Sequence, residues 1–337
     1  MRKSLLFLTS SDVQNPDADF SDYLLHELFK RMTDEYDVTC LTPAFFGGRD
    51  VESIGGVTYI RRGTSGSFLW HVFCQIRSRP EAFVFLANLP FLEYLFQWGT
   101  VPHARFLTRS SKYPMASPSQ TSFVFHPSVL TAESAQTDQP FVLLPEGLDL
   151  LSPESARLEK EKRSTFVYVS RPSQPKELFD ACQAFIAVYQ EFPEVQLWII
   201  GHCPTRFDSS IPETMRAYLH YLGDMEPAAR NRYISRATAL LVPSREDNWG
   251  MIVYEAARVG TPAIVYETPG LCDAVQYGMT GYLAKINHPG GLAAEMRSCL
   301  LDQTTYQMLR YAAHQFSTTK HHHDLEPHFR EWLRTQL

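Results

Sequence analysis

Short runs rich in valine, isoleucine, leucine and aromatic residues recur along the chain, and the segments between them carry the three- and four-residue spacing of helices. In the second half these runs are STFVYVSR (164 to 171), VQLWIIG (195 to 201), ATALLVPS (237 to 244), TPAIVYE (261 to 267) and TGYLAKI (280 to 286). They alternate with helices predicted to begin near Lys176, Pro227, Gly250 and Gly291. Strands separated by helices are joined by crossovers, so they pair in parallel and are covered on both faces. The first half shows the same alternation in SLLFLTS (4 to 10), DVTCLTP (37 to 43), VTYIRR (57 to 62), AFVFLAN (82 to 88) and ARFLTRS (104 to 110), with DYLLHELFKRM as a helical segment. The pattern restarts between the halves rather than repeating in sequence. A chain of 337 residues with 44% apolar content exceeds the size at which a single core usually stops growing, so two α/β domains are predicted. Their join falls in PEGLDLLSPESARLEKEKRS, where turn residues run into mixed charge, and the hinge is placed near Pro145. The Pro/Ser-rich YPMASPSQTS (113 to 122) reads as a surface connection.

Composition excludes several classes of function. No stretch of about 18 apolar residues is present, and MRKSLLFLTSSD lacks the small-residue cleavage site of a signal peptide. The six cysteines are scattered, without C-x-x-C or zinc-like spacing, as expected of buried thiols in a reducing compartment. The chain is therefore read as soluble and cytoplasmic. A net charge of -6 argues against a nucleic-acid partner. There is no G-x-S-x-G, H-E-x-x-H, G-x-x-x-x-G-K-[ST] or G-x-G-x-x-G motif, which removes the commoner hydrolase, zincin and nucleotide-loop readings. Two doubly wound domains in tandem put a ligand at the carboxyl ends of the strands, in a cleft between the domains.

The stretch SREDNWGMIVYEAARVGTPAIVY (244 to 266) carries a single carboxylate, Glu255, inside an almost wholly apolar helical run. A helix starting near Gly250 offers the amides of Gly250, Met251 and Ile252 and the positive end of its dipole, an arrangement that attracts phosphate. Glycine at the start lets an anion approach the backbone. Glu255, one turn further in, needs hydrogen-bond donors, which the two hydroxyls of a ribose would supply, while Asp247 could reach sugar hydroxyls beyond the phosphates. The other reading of the same residues has Asp247 or Asn248 capping the helix and Glu255 paired with a neighbour such as Arg258. In VSRPSQPKEL, Arg171 and Lys176 flank a strand end, a turn and a helix start, and either neutralise a diphosphate there or are solvated.

These segments resemble the donor domain of the family-4 retaining glycosyltransferases of the GT-B fold, through nearly the whole of residues 140 to 300. The family's E-x7-E block is matched by SREDNWGMIVYEAARVGTPAIVY and its Gly-Arg-x-x-x-x-Lys-Gly loop by SRPSQPKE. EFPEVQLWIIG resembles the strand that enters the nucleobase pocket and ends at Gly201, and ETPGLCDAVQYGMTGYLA resembles the Gly-Gly-x-x-Glu and Gly-x-x-Gly segments. The resemblance implies an α/β GT-B architecture of two Rossmann-like domains facing across a cleft. Residues 1–145 would form an acceptor domain and 146–319 a nucleotide-sugar donor domain, with residues 320–337 packing back on the first. It implies metal-independent transfer of a sugar, with retention, from a nucleotide diphosphate sugar to a glycan, lipid-linked or small-molecule acceptor, with no cofactor beyond the donor itself. By position, Arg171 and Lys176 would stabilise the leaving diphosphate and Asp247 would hold the transferred sugar. Glu255 would hold the ribose and the amides of Met251 and Ile252 the phosphates, with Gly250, Asn248 and Gly201 completing the donor site. A sugar-nucleotide epimerase and a non-catalytic relative acting as a binding partner are the alternatives.

The match departs from the family pattern at Asp247, which is one methylene shorter than the usual glutamate and has Glu246 beside it. The usual Gly-Gly turn after the first strand is replaced by SSDVQNPDADF, and the family's common histidine by Arg109. Arg109, Ser110 and Lys112 could bind an anionic acceptor or be ordinary loop residues. SFLWHVFCQIRSR (67 to 79), with Arg61, Arg62, Arg77 and Arg79 around it, reads either as a crossover helix or as a surface for peripheral association with the inner face of an anionic membrane. DAD (17 to 19) could suggest a metal-diphosphate D-x-D but is read as capping or solvated; KHHHDLEPH (320 to 328), whose histidines with Asp324 and Glu326 could bind a metal, is read as an accidental surface cluster, and no metal is expected.

Overall fold

The computed structural model describes residues 2–15, 20–80, 82–87, 103–107, 121–124, 141–143, 159–170, 175–201, 213–245, 250–319 and 325–336. The chain divides into two compact units, Met1–Leu150 with His323–Leu337, and Leu151–His322.

The first unit is built on an eight-stranded sheet in the order β3-β4-β2-β1-β5-β6-β7-β8. Its strands are β1 (Lys3–Thr9), β2 (Tyr36–Thr42), β3 (Val51–Ile54), β4 (Val57–Arg61), β5 (Phe83–Ala87), β6 (His103–Leu107), β7 (Thr121–Val124) and β8 (Phe141–Leu143). All pair in parallel except the β3/β4 hairpin. That hairpin turns on Gly55 and Gly56, both at positive φ (57° and 90°), the two-residue turn whose twist matches paired strands. β3 went unread in the sequence although Gly-Gly between two β-rich runs is its signal. β7 corrects the reading of 113 to 122 as wholly a connection, because Thr121 and Ser122 are in the sheet; the rest of that stretch lies outside the described residues.

Helix α1 (Phe20–Lys30) and helix α2 (Ser65–Ser78) belong to this unit. So does the C-terminal helix Leu325–Gln336, whose Phe329 and Trp332 rings lie 5.5 and 5.6 Å from those of Phe85 and Phe83. Arg330 reaches Asp34 and Glu35 at 3.0 and 2.8 Å. An aromatic cluster buries large area and fixes ring geometry, and it ties the chain's end to the sheet where its chain begins.

Arg61 departs from its expected place among surface cations. It is 1% exposed and Asp12, in the loop that replaces the Gly-Gly turn, is 0% exposed. Arg61 Nε donates to Asp12 Oδ2 at 2.7 Å, Nη1 to Glu52 and the Arg49 carbonyl, and Nη2 to Gln14. The guanidinium also lies 5.3 and 5.4 Å from the Phe45 and Tyr59 ring centroids. A buried guanidinium must have its charge and donors satisfied, and here each nitrogen is.

The second unit carries six parallel strands in the order β11-β10-β9-β12-β13-β14. They are β9 (Thr165–Ser170), β10 (Gln196–Gly201), β11 (Leu219–Gly223), β12 (Ala239–Val242), β13 (Ala263–Tyr266) and β14 (Gly281–Ala284). The helices are α3 (Pro175–Tyr189), α4 (Glu213–Arg216), α5 (Pro227–Arg236), α6 (Met251–Arg258), α7 (Leu271–Ala274), α8 (Pro289–Leu301) and α9 (Gln303–Thr319), which makes the C-terminal helix of the first unit α10. α3 packs with α8, and α6 packs with α5 and α9. Leu197 and Ile199 join the core with α3, whereas Trp198 between them meets Tyr233 of α5 edge-on at 5.3 Å. The sheet is therefore covered on both faces, which is why its strands read as unbroken apolar runs.

Strand order runs outward from β9 in one direction and from β12 in the other. Between these two neighbours the order reverses, and in open α/β sheets the crevice beyond the strand ends at such a reversal is where ligands bind.

Candidate functional site

Parallel strands put the start of every following helix at the same edge of the sheet. The reversal thus brings together the start of α3, which follows β9, and the start of α6, which follows β12. Lys176 is the second residue of α3 and is exposed. It lines a hollow of about 320 Å³ with Phe179, Asp180 and Arg245. Arg171, Glu246, Asp247 and Asn248 lie outside the described residues, as do Arg109, Ser110, Lys112, the DAD at 17 to 19, Pro145 and the histidines at 321 to 323.

Gly201 ends β10 at a φ of 97°, and a Cβ there would stand 2.5 Å from the Ser170 carbonyl of β9. Only glycine tolerates both, so the ends of β9 and β10 stay close. Gly250 has the left-handed conformation (φ 64°, ψ 20°). A Cβ on it would lie 2.7 Å from Ala274 Cβ and 3.4 Å from Leu271 Cδ2, both on α7. The glycine is thus required by its backbone angle and by the close approach of α7, a reason other than the anion access expected from the sequence. Gly250→Ala is expected to destabilise the unit by roughly 1 to 3 kcal/mol. Urea unfolding checks this, and an unchanged midpoint would refute it.

Val253 and Tyr254 both donate to the Gly250 carbonyl, at 2.7 and 3.2 Å, so the α6 ladder begins there. The amides of Met251 and Ile252 precede the ladder and point along the helix axis toward its start. The helix dipole adds partial positive charge at the same end.

Glu255 is the fifth residue of α6, with its side chain 15% exposed. Its partner is Arg230 of α5, not the Arg258 suggested by spacing along its own helix. Arg230 Nη2 donates to Glu255 Oε2, while Oε1 has no hydrogen-bond partner among the described residues. Burial pushes the Glu255 carboxyl above its ordinary value, and the Arg230 charge and hydrogen bond oppose that rise.

A second network was invisible in the sequence. Asp180 of α3 accepts from Tyr266 Oη at 2.9 Å and pairs with Arg245 at 2.6 Å, and Arg245 also donates to the Asn287 carbonyl. Asn287 in turn bonds both the amide and the carbonyl of Glu267. The ends of β12, β13 and β14 are thereby cross-linked to the first turns of α3. Asp180 and Tyr266 are 86 residues apart, and no local pattern reports such a pair. Among the described residues no group of three or more His, Cys, Asp or Glu side chains gathers as a metal site, and no helix is long and apolar enough to cross a membrane.

The fold defines the class: a two-domain α/β chain of the GT-B kind. Its likeness to solved structures extends over the full chain. The sucrose-phosphate synthase of Thermosynechococcus elongatus gives a TM-score of 0.77 at 16% identity, covering 99% of each chain. WaaG, a glycosyltransferase involved in lipopolysaccharide biosynthesis, gives 0.73 at 12% identity over 96% of this chain and 97% of its own. Anabaena HepE in complex with UDP and glucose gives 0.70 at 14% identity over 99% and 100%. Residues 154–316 match the family model described as glycosyl transferases group 1. Glycogen synthase of Mycobacterium tuberculosis is 28% identical over 170 residues, 50% of this chain and 41% of that protein. The phosphatidyl-myo-inositol mannosyltransferase of the same species is 25% identical over 174 residues, 50% and 46%. The chain thus spans less than half the length of these curated relatives.

Proposed function

We propose that the chain is a retaining, metal-independent glycosyltransferase that moves a sugar from a nucleotide diphosphate sugar to a glycan or lipid-linked acceptor in polysaccharide or glycolipid assembly. The observation that carries this reading is the reversal between β9 and β12, which brings Lys176, the start of α6 and Glu255 to one edge of one sheet. The diphosphate lies against the Met251 and Ile252 amides, Glu255 grips the ribose, and the base lies beyond Gly201. Lys176 and Arg171 neutralise the leaving diphosphate, and Asp247 and Asn248 hold the transferred sugar. The bond from the anomeric carbon to the diphosphate oxygen breaks as the acceptor oxygen bonds on the same face. The acceptor's proton passes to a phosphate oxygen, so no protein base is needed. The first unit binds the acceptor.

UDP is the first nucleotide to test, because HepE is a structural neighbour crystallised with it. Calorimetry with UDP, GDP, ADP and dTDP is expected to give binding by one of them. Binding by none would favour a non-catalytic relative, and interconversion of the donor's sugar without transfer would favour an epimerase.

Helix α2 favours a membrane-facing role for the first unit. Phe68 and Val72 are buried in the core, yet Trp70 and Phe73 stand 68% and 54% exposed on the opposite side, their rings stacked at 5.7 Å. Arg77, one turn after Phe73, is also exposed. Apolar rings beside a cation fit the boundary of an anionic bilayer. Joint Trp70→Ser and Phe73→Ser replacement is expected to lower sedimentation with anionic vesicles several-fold without lowering the thermal midpoint. Equal sedimentation of the variant would remove this role.

A further inference from the structure

Arg230 is the fourth residue of α5 and Glu255 the fifth of α6, and the two helices pack side by side after strands β11 and β12. Both helices begin at the strand-end edge of the sheet, so the pair lies within the first turns there, next to the amides assigned to the phosphates. Arg230 is itself largely buried, its side chain 22% exposed. Only its Nη2 is engaged with the carboxylate, and its Nε is buried without any hydrogen-bond partner. The neighbouring Asn231 Oδ1 is likewise buried and unpartnered.

A pair built solely to staple two helices would use the fork of the guanidinium against both carboxylate oxygens, the geometry that satisfies most donors. Here contact is through one oxygen: Nε is buried without a partner, and the second oxygen has none among the described residues. Burying polar atoms without partners costs stability, and such a cost persists where a ligand supplies the missing partners.

Resting on the donor-binding reading above, we propose that Arg230 is a positioning residue for Glu255. It fixes the carboxylate by Oε2 and leaves Oε1 to accept from the hydroxyls of the donor's pentose. Arg230 does not touch the transferred sugar or the reacting atoms. Its effect is confined to recognition of the ribose.

The test compares each ribonucleoside diphosphate with its 2′-deoxy counterpart by calorimetry, using UDP, GDP and ADP on the full chain. The wild-type protein is expected to prefer the ribose form by about ten-fold, the worth of one hydrogen bond to a charged group. Glu255→Gln and Arg230→Met should each weaken the ribose form to the level of the deoxy form while barely changing the latter. Arg230→Lys, which restores a cation without the fork, should recover part of the preference. A helix staple without this role would shift the unfolding midpoint and leave the preference intact. If the wild type and Arg230→Met prefer ribose equally while Glu255→Gln does not, Arg230 has no such role and the donor site stands. If Arg230→Met binds the ribose form more tightly, the arginine competes with the ligand and the proposal is overturned. If the wild type binds no nucleotide, the donor-site reading itself falls. Should Arg230→Met fail to fold by circular dichroism, Arg230→Gln and Arg230→Lys carry the comparison.

Discussion

Lys176→Ala is expected to lower donor turnover by about two to three orders of magnitude, the usual loss when one preorganised donor to a developing negative charge is removed. The same substitution should leave the fold intact. Lys176 is exposed on the first turn of α3 and makes no ion pair with any described residue. The side chain one turn later, Asp180, is held by Tyr266 and Arg245 and is not free to pair with it. A cation at a helix start is opposed by the helix dipole, so no stabilising role explains its presence there. Alanine should therefore leave the thermal midpoint unchanged or slightly raised while hydrolysis of the donor in the absence of acceptor disappears. Activity within a few-fold of wild type, at equal protein stability, would remove Lys176 from the mechanism.

Arg61→Leu should produce the largest stability loss in the first unit, about 3 to 5 kcal/mol, because it leaves the buried Asp12 carboxylate without its partner. Glu52, Gln14 and the Arg49 carbonyl lose a donor in the same step. A second substitution separates charge from packing. Asp12→Leu combined with Arg61→Met removes both charges and is expected to recover much of the loss, since apolar replacement of a buried pair is often neutral. Urea unfolding of the two variants reads the comparison. Arg61→Leu within about 1 kcal/mol of wild type would show that the pair is not a determinant of the unit's stability.

The strand runs of the second unit and the starts of α3, α5, α6 and α8 were legible because their signals are local, whereas α4, α7 and α9 went unread. β9 to β14 were read from apolar runs, apart from β11. LHYLG escaped because its alternation is weak, half-buried at an edge and interrupted by His220 and Tyr221. Gly250 was singled out for anion access, and the structure gives a further reason for glycine there, its left-handed backbone and the close approach of α7. The sequence shows that a glycine stands before a helix; it does not show that α7 passes within contact distance of its missing Cβ. The candidate site divides the same way. Lys176, Met251, Ile252 and Glu255 could be named from a strand end, a turn and a helix start. Arg230, Asp180, Tyr266 and Arg245 could not, since each is an ordinary residue until the helix or strand that faces it is known.

Local order in the chain thus determined the two α/β units, the placement of their helices after their strands, and the candidates at the second unit's helix starts. Only the tertiary structure decided that Arg61 is an interior ion rather than a surface one, that Glu255 is held from a second helix, and that the order reverses between β9 and β12. The physical reason is range. Hydrophobic periodicity and capping act over a few residues and are written in the sequence one after another. Burial of a charge and the choice of its partner depend on segments brought together from 25 or 49 residues away, and those are settled only when the sheets close.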